Sequence, residues 1–429
     1  MAANPLSAID ARALIERGEL SCQAYLQACL ERTNARDAQI GAWEHIDLER
    51  SLAAAKAADG PTTGLLRGLP VGIKDIIDVG GLPTKYGSPI YANAPNASID
   101  AASVALMRHS GAIILGKTVT TELAGAHPAK TRNPHHFAHT PGGSSSGSAA
   151  AVADGHVPLA IGTQTAGSVI RPAAFCGVFG FKPTHGIVPL TGVKVQSETL
   201  DTVGVFARSV DDCALWWAAI TNGTFRATDI ASVGKLRIAR LKDFDSFVGE
   251  SMRAALDAAA GALSRAGAVV KEISLPGVLK NIHDDQILIQ RIEAARAYSA
   301  EHRQHRHQLS ATLLEQLDLG AAVSLSQYRA ALNRAATVRR DADELFAQCD
   351  ILLMPSATDA APLGLSTTGN PICNRLASVL HTPAMNVPAY LDKQGLPLGL
   401  QLLGARHADE KLLAGAKWVH HALGEKLAV

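Results

Sequence analysis

Two hydrophobic spacings alternate along the chain. Short, almost wholly apolar runs recur between longer segments in which apolar residues return every three or four positions. The short runs read as strands buried on both faces, and the longer segments as helices that cover them. Residues 6–35 predict two helices parted by Gly18. Ser7 and Ser21 stand where an N-cap hydroxyl accepts from an orphan N–H of the first turn. Within 64–79, Leu-Pro-Val-Gly-Ile-Lys-Asp-Ile-Ile-Asp-Val reads as a buried strand interrupted at its lysine, followed by a turn at Gly80-Gly81. A helix over 101–110, a short strand over 112–115, an Ala-rich helix over 146–153 and a strand over 157–163 follow. The second half predicts an alternating strand over 235–241, an amphipathic helix over 251–266 and a strand over 268–273. It continues nearly all-helical over 282–349, with strands over 351–355 and 396–403 and a closing helix over 410–423. This order predicts an α/β fold, an α/β/α sandwich around a large mixed sheet. No linker, low-complexity segment or short repeat divides residues 1–429, so one domain is expected, with 282–349 as a helical subregion or cap.

Bulk properties narrow the class. A net charge of +1 over 429 residues lacks the basic footprint of a nucleic-acid binder. No run of 18 uncharged apolar residues is present, so no membrane span is expected. The N-terminus lacks a basic segment followed by an apolar run, which argues against secretion. Six cysteines lie scattered without Cys-x-x-Cys spacing. They read as free thiols of a reducing compartment, and the expectation is a cytoplasmic protein without metal or cofactor. The sequons at Asn96 and Asn222 are then chance matches.

The chemistry concentrates between Pro141 and Thr184. Pro-Gly-Gly-Ser-Ser-Ser-Gly-Ser (141–148) leads through Gly-Thr-Gln-Thr-Ala-Gly-Ser-Val-Ile-Arg-Pro-Ala (162–173) to Gly-Phe-Lys-Pro-Thr (180–184). Small residues suit a backbone that approaches a ligand closely. Consecutive N–H groups of Thr165, Ala166, Gly167 and Ser168 can converge on one oxygen, the geometry of an oxyanion hole, with Ser168 as nucleophile at its end. Upstream, Lys74 sits inside an apolar strand. Burial disfavours its charged form, and lowering a lysine from about 10.4 to about 7 takes ~4.6 kcal/mol at about 1.36 kcal/mol per unit. Such a lysine can serve as a base; the bland alternative is an ion pair with Asp75 or Asp78. Ser144, after Gly142-Gly143, is placed to relay a proton between Lys74 and Ser168, although Gly-Gly-Ser-Ser also describes a flexible loop.

Taken together, these motifs resemble the amidase signature family. That family combines a Gly-x-Lys-Asp lysine, a Gly-Gly-Ser-Ser-Gly-Gly-Ser loop and a Gly-Thr-Asp-x-Gly-Gly-Ser nucleophile loop. Here the two serines stand 168 − 144 = 24 residues apart, the family's own spacing. The likeness continues through Phe175-Cys176-Gly177 and Asp201-Thr202-Val203-Gly204-Val205-Phe206-Ala207-Arg208. It echoes in Leu353-Met354-Pro355 and in 395–401, and is weak over 210–345. The resemblance implies a Ser-Ser-Lys hydrolase: Ser168 attacks an amide carbonyl, Ser144, on a cis peptide, passes the proton, and neutral Lys74 accepts it. Water then hydrolyses the acyl-enzyme.

Three positions depart from the usual pattern: Ser146 and Ala166 replace glycines, and Gln164 replaces an aspartate. Arg171 stands three residues after Ser168 rather than two, as in malonamidase-like members, where the arginine grips a substrate carboxylate. Arg171, Gly143 and Gln164 are therefore the candidate substrate-binding residues, and a small carboxylate-bearing amide such as malonamate is the leading substrate. A structural pair of Arg171 with Asp201 or Asp154 is the alternative. The competing functions are the glutaminase subunit of a tRNA amidotransferase, a urea- or carbamate-type hydrolase, and a non-catalytic scaffold. Relatives are often dimers, which suggests a homodimer. Gly111-Ala-Ile-Ile-Leu-Gly-Lys-Thr118 fits a P-loop expression, but its middle residues read as strand. Histidines cluster at 127–139 and 302–307; metal sites prefer i,i+4 pairs backed by carboxylates, and a polar loop and a solvated helix face explain the two groups better.

Overall fold

The computed structural model describes residues 6–61, 63–227, 230–275, 277 and 282–424. Among the described residues, eleven strands follow in chain order: β1 (Trp43–Ile46), β2 (Pro70–Lys74), β3 (Ile113–Thr118), β4 (Leu159–Gln164), β5 (Phe179–Lys182), β6 (Thr202–Ala207), β7 (Arg237–Leu241), β8 (Val269–Ile273), β9 (Ile351–Pro355), β10 (Ala384–Leu391) and β11 (Pro397–Leu403). They form a single mixed sheet in the order β1-β3-β2-β4-β6-β5-β10-β11-β9-β7-β8. Parallel pairings join β3, β2 and β4 in one half and β9, β7 and β8 in the other; antiparallel strands lie between. The central strands β2 to β6 are buried along their whole length, as continuous apolar runs require.

The N-terminal helices, Ala8–Glu16 and Cys22–Ile40, begin at the expected caps: Ser7 accepts from the Asp10 N–H and Ser21 from the Ala24 N–H. Gly18 between them has φ +72°, a conformation that a side chain would strain. The helix Ser146–Ala153 begins and ends as the sequence predicts. The 282–349 region resolves into helices Ile282–Ala297, Ser299–Gln304, Ala311–Ala321 and Leu325–Gln348, with a 3-10 turn at Arg306–Gln308. Its buried Ile289, Ala335 and Val338 join the same apolar cluster as Ile238, Leu352 and Leu353 of the sheet.

Strands β1, β5, β6 and β10 carry no clear pattern in the sequence. β10 is the instructive case. Pro388 argues against a central strand because it has no N–H to donate. Yet β5 pairs only with Ala384–Asn386, so the proline lies beyond its reach, and the register toward β11 shifts between Pro388 and Tyr390.

The topology positions the site. After β2 the chain builds β3 on one side, then crosses by the helix Ser146–Ala153 to β4 on the other. These three strands are parallel, so Lys74, Thr118 and Gln164 end on the same edge of the sheet. β6 runs antiparallel to β4, pairing Thr202 with Gln164, and so starts at that edge with Asp201 just before it. Ligand sites of open α/β sheets lie beyond such carboxyl ends, where the strand order reverses.

Candidate active site

Lys74, the last residue of β2, is fully buried. Its Nζ lies 2.7 Å from Ser144 Oγ and 2.9 Å from Thr163 Oγ1, donating to both. No carboxylate among the described residues lies within ion-pair distance of it. Neither Asp75 nor Asp78 takes that role: Asp75 forms a buried ion pair with Lys117 at 2.8 Å, and Asp78 accepts from Thr84. Burial therefore pushes the Lys74 ammonium down to about 7, opposed by the negative charge of Asp201. The same pairing removes the P-loop reading, because Lys117 is a buried residue of β3 and not part of an exposed phosphate cradle.

Ser144 is held from both sides. The Gly143–Ser144 peptide is cis. The Ser144 carbonyl accepts from the Thr121 N–H at 3.2 Å and the Thr120 hydroxyl at 3.3 Å. The neighbouring serines bond away from Lys74: Ser145 to the Thr163 backbone, Ser146 to the Val119 carbonyl, Ser148 to Thr118 and the Ile161 carbonyl. Among these serines, Ser144 is the one hydroxyl that meets the lysine.

Ser168 lies in the turn between β4 and the helix Ile170–Phe175 and is partly exposed, while Lys74 and Ser144 are buried. Gln164 explains how this turn is tied down. Its Oε1 accepts from the N–H groups of Val169 and Ile170, both at 3.0 Å. Those donors need only an acceptor oxygen, which an amide supplies as well as a carboxylate does. The N–H groups of Ala166, Gly167 and Ser168 meet no acceptor among the described residues. Ala166 stays out of the left-handed region, so its methyl is accommodated. Thr165 donates to Asp201 Oδ1 at 2.5 Å, and Asp201 Oδ2 accepts from the N–H groups of Gln196 and Ser197. Burial raises the Asp201 carboxyl.

Arg171 is 4% exposed, and neither proposed carboxylate pairs with it. Asp154 is bound by Arg32, Arg36 and His156, and Asp201 by Thr165. Instead, one Arg171 nitrogen donates to the Gly143 carbonyl at 2.7 Å and to Thr368 Oγ1 at 3.2 Å. Its Nε and Nη1 are buried without a partner among the described residues. Burial and the nearby Arg375 lower its guanidinium to about 9. The structure thus brings Gly143 and Arg171 into direct contact.

Thr163 and Asp201, which hold or polarise Lys74, escaped the sequence reading, as did Asn374, whose side chain closes on Gly167. Thr163 and Asp201 lie within the family-like stretches, one beside Gln164 and one opening the Asp-Thr-Val-Gly run. The histidines follow their bland reading: His302 bonds to Asp318, and His135 and His139 bond to backbone carbonyls.

A buried lysine bonded to a serine, beside a small-residue turn with unspent N–H groups, is the layout of an amide-bond hydrolase. The Amidase family model matches residues 24–413, and the chain belongs to that family, the amidase signature hydrolases of amide C–N bonds. It is 33% identical over 462 aligned residues to the glutamyl-tRNA(Gln) amidotransferase A subunit of Chloroflexus aggregans, covering 95% of this chain and 94% of that one. A solved amidase matches at 29% identity with a TM-score of 0.89, over 98% of this chain and all 100% of the other. The corresponding A subunit of Thermotoga maritima matches at 27% identity and a TM-score of 0.81, over 97% and 96%. Among the described residues, no helix is long and apolar enough to cross a membrane.

Proposed function

We propose that Ser168 is the nucleophile of an acyl-enzyme mechanism, with Ser144 as proton relay and Lys74 as base. The observation that carries this reading is the 2.7 Å contact between a buried Lys74 without an ion-pair partner among the described residues and Ser144 Oγ. An amine titrating at about 7 is half free at neutral pH and takes a proton through a hydroxyl chain. Ser168 attacks the amide carbonyl as its proton passes to Ser144, while Ser144 gives its own to Lys74. The N–H groups of Ala166, Gly167 and Ser168, with Thr165 braced by Asp201, receive the developing negative oxygen. The proton then returns along the same chain to the leaving amine. Water repeats the sequence on the acyl-enzyme and frees the acid. Gln164 acts on this loop by anchoring Val169 and Ile170, and Arg171 by holding the Gly143 carbonyl.

For the substrate, two readings share one chemistry, a small amide that carries a carboxylate. The similarity to the amidotransferase relatives favours glutamine, with ammonia passed to a partner. The position of Arg171 after Ser168 is the one feature that favours malonamate. A panel of glutamine, malonamate, aliphatic amides and ureido compounds separates them. Labelling of the wild type by a fluorophosphonate, absent in Ser168→Ala, tests the nucleophile. Wild-type protein that neither labels nor hydrolyses any of these compounds overturns the assignment.

A further inference from the structure

A cavity of about 110 Å³ is lined by Gln196 of the segment before β6 and by Ile287, Gln290, Arg291, Gln316 and Arg375, from the helices Ile282–Ala297 and Ala311–Ala321 and the start of the helix Arg375–Leu380. A water needs about 10–15 Å³ by this measure, so a carboxylate and its hydration fit. Two short chains of contacts tie it to the nucleophile loop. Arg375 follows Asn374, whose side chain a methyl on Gly167 would strike. Gln196 donates its N–H to Asp201, the residue that holds Thr165.

The cavity is positive and poorly neutralised. Arg375 is partly buried and its Nε has no partner among the described residues. Arg291 forms no ion pair among them either. Arg291 and Arg171 each act on Arg375 or are acted on by it with like charge, and His283 faces the same guanidinium. The carboxylate that opposes this charge, Asp284, is exposed to water and makes no ion pair with Arg375. The other polar walls are the neutral amides of Gln196, Gln290 and Gln316, the first two bonded to each other at 2.9 Å. Two guanidiniums and amide donors around a partly open pocket are the complement of a carboxylate.

We propose that this cavity receives a carboxylate of the substrate, gripped by Arg291 and Arg375, while the scissile amide lies at Ser168. The inference rests on the assignment of Ser168 as nucleophile and extends it to substrate choice: the acyl group carries its charge away from the reacting carbonyl, and Arg171 remains engaged with the Gly143 carbonyl.

The test compares Arg375→Gln, Arg375→Lys and Arg291→Gln with the wild type. Glutarate is the probe, read by calorimetry on the Ser168→Ala background and by its protection of Ser168 from a fluorophosphonate. Loss of a charged hydrogen bond to a carboxylate should weaken glutarate about 10- to 100-fold in both glutamine variants. Arg375→Lys should recover part of the loss. The ratio of kcat/KM for glutaramate to that for pentanamide should fall by a similar factor. Glutarate that binds the wild type and Arg375→Gln equally, or not at all, overturns the subsite while Ser168 labelling leaves the hydrolase standing. Failure of Ser168 to label, with no amide turned over, overturns the mechanism and the subsite together.

Discussion

Replacing Lys74 by methionine should abolish activity and at the same time stabilise the fold at neutral pH. Methionine nearly fills the volume of the lysine and carries no charge to desolvate. The wild-type amine titrates at about 7 folded and near 10.5 unfolded. Between those values the unfolded chain holds a proton that the folded chain has released, so stability rises with pH at up to ~1.4 kcal/mol per unit. Below pH 7 both states are protonated and the penalty is constant. At pH 7 the depressed titration costs the wild type about 4 kcal/mol relative to a side chain that never charges. Two hydrogen bonds, to Ser144 and Thr163, offset roughly 1 kcal/mol each, and Asp201 loses a neighbouring cation. A net gain of about 1–2 kcal/mol remains for Lys74→Met. Urea melts of both proteins at pH 7, 8, 9 and 10 read it out. The variant should be the more stable at pH 7, and its advantage should shrink at each step. Common titrations of other groups cancel in the difference. A gap that stays flat from pH 7 to 10 would refute the claim that Lys74 is held neutral in the folded protein, and with it its role as base.

Initial-rate profiles of kcat/KM should climb through about pH 7 as Lys74 loses its proton and level off above it; a bell centred well below 7 contradicts that base. Ser168→Ala should lower turnover on the order of 10⁴- to 10⁶-fold with an unchanged melting temperature. Asp75→Ala leaves Lys117 buried without its carboxylate and should cost about 3–5 kcal/mol in a denaturant melt, a loss that Lys117→Met partly restores in the double variant. Gly167→Ala drives a methyl into Asn374 and should reduce kcat with little change in the far-ultraviolet dichroism; full activity would remove the idea that Asn374 braces the nucleophile loop.

How far the sequence spoke depended on the range of the interaction involved. Local signals carried well. Ser7 and Ser21 cap their helices because a cap is decided within four residues. The Gly-Ser turn opens the helix Ser146–Ala153 at the expected residue. Strands with a continuous apolar run, such as Ile351–Pro355, were plain. β5 and β6 were masked by their glycines, and β10 by Pro388, whose tolerance depends on how far a strand distant in sequence extends.

The site divides along the same line. Lys74 and Ser144, bonded in the fold, stand out in the sequence, but the deciding fact about Lys74 is which carboxylate does not reach it. Asp75 follows it in sequence and is the natural partner. Lys74 closes β2 and meets Ser144 and Thr163, while Asp75, in the turn that follows, meets Lys117 of β3. The ion pair next door is therefore part of the same device. By occupying Asp75, Lys117 keeps the carboxylate next in sequence from pairing with Lys74, whose burial can then hold the amine near neutrality. The Lys117→Met, Asp75→Asn double substitution, which removes the pair without stranding a charge, should then leave the acid limb of the pH–rate profile in place. Lys117→Met alone frees Asp75 to draw protons toward Lys74 and should shift that limb upward. Profiles that coincide for the single and double variants would show that the two lysines are electrostatically independent.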